Sequence, residues 1–230
     1  QAGNISTKGI YSSGVLAQSI GGGGGLVGIV SGALSMGSLQ SVATQTSSSG
    51  NVAVSISGTI QTGGNNSPAL VAQSIGGGGG WAAAADGQVD MGANTIGASN
   101  NQAGSVKVTT NGDIGTAGLN STGLLAQSIG GGGGFIGINT ADNYRSVLGS
   151  TFSSGLGNAS DLDLDINGDI QTTGNNSAAL IAQSIAGGGG SGARNWSGDN
   201  DIDAGPSTPV VLFGSVNAVT TNPGNVTVNN

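Results

Sequence analysis

A run of glycines recurs behind the same four residues at a nearly constant spacing, and this repetition constrains the fold more than any other feature. The motif Ala-Gln-Ser-Ile followed by glycines occupies residues 17–25, 72–80, 126–134 and 182–190, with Ala186 replacing the first glycine of the last copy. Successive copies lie 55, 54 and 56 residues apart. Such a period is typical of chains that stack one structural unit. We therefore expect residues 1–230 to form a single array of four periods of about 55 residues.

Two patterns in every period predict β-strands joined by a sharp corner. Before the motif, Val52, Val54 and Ile56 alternate with smaller or polar residues, which indicates a strand with one buried face. Residues 70–72, which lead into the motif, are apolar at consecutive positions, which indicates a strand buried on both faces. Between them, residues 63–66 read Gly-Gly-Asn-Asn, a sequence that accepts positive φ and so predicts the corner. We expect the buried motif glutamines to form a ladder along the stack.

These patterns predict an all-β fold, a parallel β-solenoid whose expected form is a right-handed β-helix. A stack of β-hairpins is the alternative, because Gly-Asn-Asn corners also make hairpins. The period accommodates two coils of about 27 residues or three of about 18. The segment that follows each glycine run varies between periods, and we expect it to form longer loops and a third, irregular strand.

The glycine runs admit two interpretations. They could be flexible linkers between small β modules. Their fixed register behind a doubly apolar strand instead favours an ordered, extended glycine layer packed on that strand, since backbones without Cβ atoms can approach closely. This interpretation predicts contacts with the row of residues just before the motif, or with their neighbours: Leu16, Val71, Leu125 and Ile181.

The amino-acid composition argues against several classes of function. The formal net charge is −7, with only 4 basic residues, so a basic footprint for nucleic acid is absent and no nucleic-acid partner is expected. The chain has no Cys, no His and no Glu, which leaves Asp, Tyr11 and Tyr144 as acid–base candidates. We expect no enzyme and no cofactor, with a β-helix enzyme acting on polysaccharide as the alternative. Residues 20–34 are too short and weakly apolar to insert into a membrane.

Two acidic clusters and one threonine row are the remaining candidates for a site. In each cluster the aspartates alternate along one face of a predicted strand, and their carboxylates could attract calcium, although a solvated outer face is favoured. These candidates are Asp161, Asp163, Asp165, Asp199, Asp201 and Asp203. A threonine recurs once per period, and ice binding is a minor alternative on that basis: Thr7, Thr62, Thr116 and Thr172.

Residues 12–25 (Ser-Ser-Gly-Val-Leu-Ala-Gln-Ser-Ile and five glycines) and 121–134 (Ser-Thr-Gly-Leu-Leu-Ala-Gln-Ser-Ile and five glycines) resemble repeats in the passengers of very large bacterial autotransporters, which use type V secretion. The resemblance covers about half of each period. It implies export through the outer membrane by a C-terminal barrel and an extracellular or cell-surface location. It also implies a fibrous, usually adhesive passenger of right-handed β-helix form.

A structural rod segment serving adhesion, biofilm or filament formation is therefore the expected function. Its expected partners are further copies, associating end to end or laterally, and ligands on host or neighbouring cells. Both chain ends align with Thr110 in the repeat, so we expect the sequence to be four periods cut from a longer array.

Overall fold

The fold is all-β and built from parallel strands. A computed structural model describes residues 2–28, 34–36, 46–84, 89–91, 101–138, 145–148, 157–194, 210–213 and 222–229. These residues form 22 strands, and every pairing between them is parallel. The parallel β-structure predicted from the sequence is thus confirmed, and the hairpin stack is wrong.

The described strands fall into five four-stranded sheets, each with one strand from every coil, and one two-stranded sheet. The strands, in chain order, are β1 (Ile5–Thr7), β2 (Val15–Ile20), β3 (Gly24–Val27), β4 (Leu34–Met36), β5 (Val52–Ile56), β6 (Ile60–Thr62), β7 (Leu70–Ile75), β8 (Gly79–Ala84), β9 (Val89–Met91), β10 (Asn101–Gln102), β11 (Val106–Thr110), β12 (Ile114–Thr116), β13 (Leu124–Ile129), β14 (Gly133–Ile138), β15 (Arg145–Leu148), β16 (Gly157–Asn158), β17 (Leu162–Ile166), β18 (Ile170–Thr172), β19 (Leu180–Ile185), β20 (Gly189–Arg194), β21 (Val210–Phe213) and β22 (Val226–Asn229).

Four of these sheets are formed by strands that follow one another along each period. The leading sheet has the order β22-β17-β11-β5, and the bridging sheet has the order β1-β6-β12-β18. The motif sheet, made of the Ala-Gln-Ser-Ile strands, has the order β19-β13-β7-β2. The glycine sheet has the order β20-β14-β8-β3. A fifth four-stranded sheet (β21-β15-β9-β4) and the short pair β10-β16 complete the described strands.

Each period makes one coil. Gln73 pairs with Gln18 on one side and with Gln127 on the other, so equivalent residues of successive periods are direct neighbours. The expectation of two or three coils per period is therefore wrong. The reason is that each coil supplies one strand to each of five four-stranded sheets, and this needs more residues than a coil of two or three strands.

The motif sheet is the middle of three layers. Leu70 and Leu124 face one hydrophobic cluster, which includes Val54 and Val108 of the leading sheet. Val71 and Leu125 face a second cluster on the opposite side, formed with Trp81 and Phe135 of the glycine sheet. All residues of β7 and β13 are buried. The prediction that consecutive apolar positions mark a strand buried on both faces is confirmed.

The corner between the bridging and motif sheets depends on a left-handed residue. Asn66, Asn120 and Asn176 have φ values of 52°, 52° and 55°, and Tyr11 takes the same position in the first coil with φ 57°. Asparagine tolerates this conformation better than most residues, because its short side chain bonds locally. The predicted corner is confirmed.

The glycine runs have two parts. Residues 76–78 form a bend, and Gly79 and Gly80 then open strand β8 with φ values of 127° and 138°. A Cβ atom on Gly79 would overlap the carbonyl oxygen of Gly133 in the coil ahead, and one on Gly80 would overlap that of Gly25 in the coil behind. The run as a whole is therefore not one extended segment. Successive glycines make close backbone contact with opposite neighbours along the stack.

Candidate functional site

The residues that the repeat preserves lie at the contacts between coils, and these contacts are the candidate functional site. The motif glutamines form one continuous amide ladder. Gln18 donates through Nε2 to Oε1 of Gln73 (2.6 Å), Gln73 donates to Gln127 (2.7 Å) and Gln127 donates to Gln183 (2.7 Å). Gln73 and Gln127 are fully buried. The glutamine ladder expected from the sequence is confirmed, and all its bonds point in one direction along the stack.

The ladder also joins the motif sheet to the glycine sheet. Nε2 of Gln73 donates to the carbonyl oxygen of Gly80, and Nε2 of Gln127 donates to that of Gly134, both at 3.3 Å. Each inner amide thus uses one N–H along the stack and the other across the layers. A buried amide with both donors engaged avoids the cost of an unpaired polar group.

The motif serines form a second ladder on the opposite face of the motif sheet. Ser74 Oγ donates to the carbonyl oxygen of Gly50 (3.0 Å) and accepts from the amide of Gly104 (2.8 Å). Ser128 repeats this arrangement with Gly104 and Ser160. Each serine therefore connects the segments that precede two successive strands of the leading sheet, so the bonds zigzag along the array.

A third column lies at the corner. Ser67 Oγ accepts from the amide of Ser12 (2.9 Å), and Ser121 Oγ accepts from that of Ser67 (3.0 Å). The threonine row is part of the same corner, because Thr62 Oγ1 donates to the carbonyl oxygen of Ser67. Thr62 and Thr116 are 3% and 4% exposed. Thr7 and Thr172 are half-buried and donate to Ser12 and Ser177 in the same way, so the row does not form an exposed face.

Asparagine and aspartate side chains add contacts that were not predicted. At several turns the side-chain oxygen accepts the backbone N–H of the equivalent residue in the next coil. Asn51 accepts from the amide of Ser105 (2.9 Å), and Asn65 accepts from that of Leu119 (3.0 Å). Asp113 accepts from the amide of Asp169 (3.0 Å). The available sequence signal was the recurrence of Asn or Asp just before a strand or at a corner, where such side chains often bond to nearby backbone.

The calcium candidates separate in the structure. Asp163 Oδ2 lies 2.6 Å from Nζ of Lys107, and Asp165 Oδ2 lies 3.8 Å from it. Asp161 instead accepts the amide of Asn225 at 2.8 Å. In the part of the chain that the structure describes, no group of three acidic side chains could hold a metal ion. The other candidates, Asp199, Asp201 and Asp203, lie outside the described residues.

The ion pair at Lys107 belongs to the exposed face of the leading sheet. The hydrogen bond with Asp163, followed by the charge of Asp163, raises the pKa of Lys107. A raised lysine pKa means that the pair is present at neutral pH and is lost as the pH rises through that pKa. Its side chains are about half exposed, so solvent and salt screen the attraction.

Of the two tyrosines named as acid–base candidates, the structure describes only Tyr11. Tyr11 is half-buried and packs against the cluster of Val71 and Trp81, while Tyr144 lies outside the described residues. What the described residues bring together is a set of stacking contacts. These contacts hold backbones in register and present the same groups on each coil.

Comparison with protein-family models, with curated proteins and with solved structures gives no match. A search of the described residues for a helix long and apolar enough to cross a bilayer also finds none. The functional conclusion therefore depends on the geometry of the chain itself.

Proposed function

We propose that this chain is a structural rod segment of a secreted bacterial surface protein, serving adhesion, biofilm or filament formation. The observation that carries the proposal is the unbroken glutamine ladder, which joins all four periods through the same side chain. Equivalent strands of successive coils pair in the same register, as in solenoids whose stability comes from each unit and its neighbours. A hydrogen bond of the same kind between every pair of successive coils suits a structural element that keeps a constant length.

The right-handed β-helix and the packed glycine layer are finer parts of this proposal. The close backbone contacts at Gly77, Gly79 and Gly80 support the layer, because a side chain at any of them would overlap a neighbouring coil. The Gln73 bond to Gly80 supports its attachment to the motif sheet. We expect this layer to stiffen the rod by adding a third sheet to each coil.

End-to-end association is the proposed mode of assembly. Within the described residues, the ladder leaves an acceptor, Gln18 Oε1, at one end and a donor, Gln183 Nε2, at the other. Leu16 is 37% exposed, whereas its equivalents Val71 and Leu125 are 0% and 1% exposed. Both observations describe a surface on which another coil of this repeat would complete the pattern already present inside. Ligands on host or neighbouring cells would bind elsewhere, on the segments that vary between periods.

Electron microscopy of the purified chain at increasing concentration tests the rod and its assembly. We expect particles of constant width whose length grows in one direction as concentration rises. Rod-shaped particles that never lengthen would contradict end-to-end association but not the rod itself. Discrete compact particles that release reducing sugars from a polysaccharide would contradict the rod and favour the β-helix enzyme.

A further inference from the structure

Two asparagine–glycine steps lie directly above one another on the surface of the array. Asn111-Gly112 and Asn167-Gly168 occupy the same turn, between the leading and bridging sheets, in successive coils. Both asparagines are exposed. In the coil before them the same turn holds Ser57-Gly58, so the array also tolerates serine at this position. The pair is one more contact between successive coils, and its amides allow a reaction that the stacking function does not use.

Asn-Gly steps are chemically labile, because glycine has no Cβ to hinder attack on the preceding side chain. The backbone nitrogen of the glycine loses its proton and bonds to Cγ of the asparagine. The Cγ–Nδ2 bond then breaks, ammonia leaves with a proton, and a five-membered succinimide remains. Water opens this ring at either carbonyl, which gives aspartate or isoaspartate. No oxidant or reductant is needed.

The stacking gives Asn111 a hydrogen bond at the atom where charge develops during this reaction. Nδ2 of Asn167 donates to Oδ1 of Asn111 at 3.2 Å. When the Gly112 nitrogen attacks, that oxygen becomes an oxyanion, and a donor already aimed at it lowers the barrier. Among the described residues no hydrogen bond engages the Gly112 N–H, so the attacking nitrogen is not held by a backbone acceptor.

We propose that Asn111 is a site of spontaneous deamidation, accelerated by the amide of Asn167 in the next coil. The reaction turns the Asn111 amide into a carboxylate beside Asp113 and makes the net charge more negative. The isoaspartate product also lengthens the backbone of a turn in which a Cβ on Gly112 would lie 2.5 Å from the carbonyl oxygen of Gly58. The array thus contains a position whose charge and backbone length change with age after synthesis.

The test is peptide mapping by mass spectrometry after incubation of the folded chain in mildly alkaline buffer. We expect the Asn111 peptide to gain the mass of amide-to-carboxylate conversion and to contain isoaspartate. Asn167→Ser removes the Nδ2 donor and shortens the side chain, while using a residue that the same turn already accepts at Ser57. It should slow the reaction at Asn111 about fivefold, which corresponds to roughly 1 kcal/mol for a typical net hydrogen bond.

Two controls separate this effect from other causes. Asn167→Asp keeps the shape of the side chain, presents only acceptor oxygens at this pH, and should slow Asn111 at least as much as the serine variant does, because its negative charge also repels the developing oxyanion. In denaturant, where the stacking is lost, Asn111 should react at the same rate in all three chains. Equal rates at Asn111 in the folded wild type and both variants would overturn the proposal. So would an Asn111 that is stable in the folded chain but reacts in denaturant.

Discussion

Replacing Gly131 with alanine is expected to lower the free energy of unfolding by at least about 3 kcal/mol. A Cβ atom there would overlap the carbonyl group of Gly187 in the next coil. Gly131 is buried, and the atom it would strike is backbone rather than the end of a flexible side chain. Relief would require two coils to separate, which would also strain the neighbouring glutamine and serine ladders.

Gly28→Ala is the matched control for that substitution. The space around Gly28 is open, with no described atom within 4 Å of the added carbon, and its φ lies outside the left-handed region. We expect the free energy of unfolding of the Gly28→Ala variant to stay within about 0.5 kcal/mol of the wild-type value. Urea unfolding followed by circular dichroism measures both variants. Equal midpoints for the two would show that the glycine contacts do not require glycine.

Replacing Gln127 with alanine should destabilise the chain by about 3 kcal/mol. The change leaves Nε2 of Gln73 and Oε1 of Gln183 without their ladder partners, and it opens a cavity at a fully buried position. Unfolding in urea again provides the measurement. A loss below about 1 kcal/mol would mean that the ladder does not contribute as an intact column.

Gln18→Ala tests the same chemistry where the ladder has one neighbour. Gln18 is half-buried and bonds only to Gln73 along the ladder. Gln18→Ala should lower the free energy of unfolding by less than half as much as Gln127→Ala does, because water can reach the polar groups that lose their partner. The double variant Gln73→Ala/Gln127→Ala should cost less than the two single changes added together, since both break the same bond.

The strands and their faces could be predicted because they depend on local pattern. Val52, Val54 and Ile56 alternate in sequence, and they are buried in the structure while Ala53 and Ser55 are exposed. The Gln ladder followed from one further step, because a polar residue at a doubly buried position needs a partner and its own copy is the nearest one.

The number of coils per period could not be predicted in this way. A strand that is apolar on both faces is expected to have a layer packed on each side. The sequence pattern does not show whether those layers belong to the same coil or to another one. The answer depends on how the bend at residues 76–78 directs the chain, and glycine leaves that direction open. The same freedom is why the extended run predicted from the sequence is a bend followed by a strand.

The separation of the aspartates has a different cause. Alternation correctly places Asp163 and Asp165 on the outer face of one strand, but it cannot identify the residue on the neighbouring strand. That residue is Lys107, which pairs in register with Asp163. Register between coils is fixed by the whole repeat and not by either strand alone. The Asn111–Asn167 stack was missed for the same reason, although both Asn-Gly steps are visible in the sequence.

Each period of about 55 residues forms one coil, so that equivalent residues of successive periods are neighbours. Ser6 and Gln61 are exposed and pair in register on adjacent strands of the bridging sheet. Such strands lie about 4.8 Å apart, within the Cα separation of about 4.4–6.8 Å that a disulfide spans. The chain contains no Cys, so a Ser6→Cys/Gln61→Cys variant has one possible intramolecular bridge.

We predict that mild oxidation of this variant, followed by mass spectrometry of its peptides, shows an intramolecular disulfide between positions 6 and 61. The control variant Ser6→Cys/Gln171→Cys, whose strands are the first and fourth of the bridging sheet, should not form that bridge, because about 14 Å separates them. With two coils per period, positions 6 and 61 would lie about 10 Å apart and could not be bridged. A folded Ser6→Cys/Gln61→Cys chain that stays reduced within the molecule would therefore contradict the one-coil period.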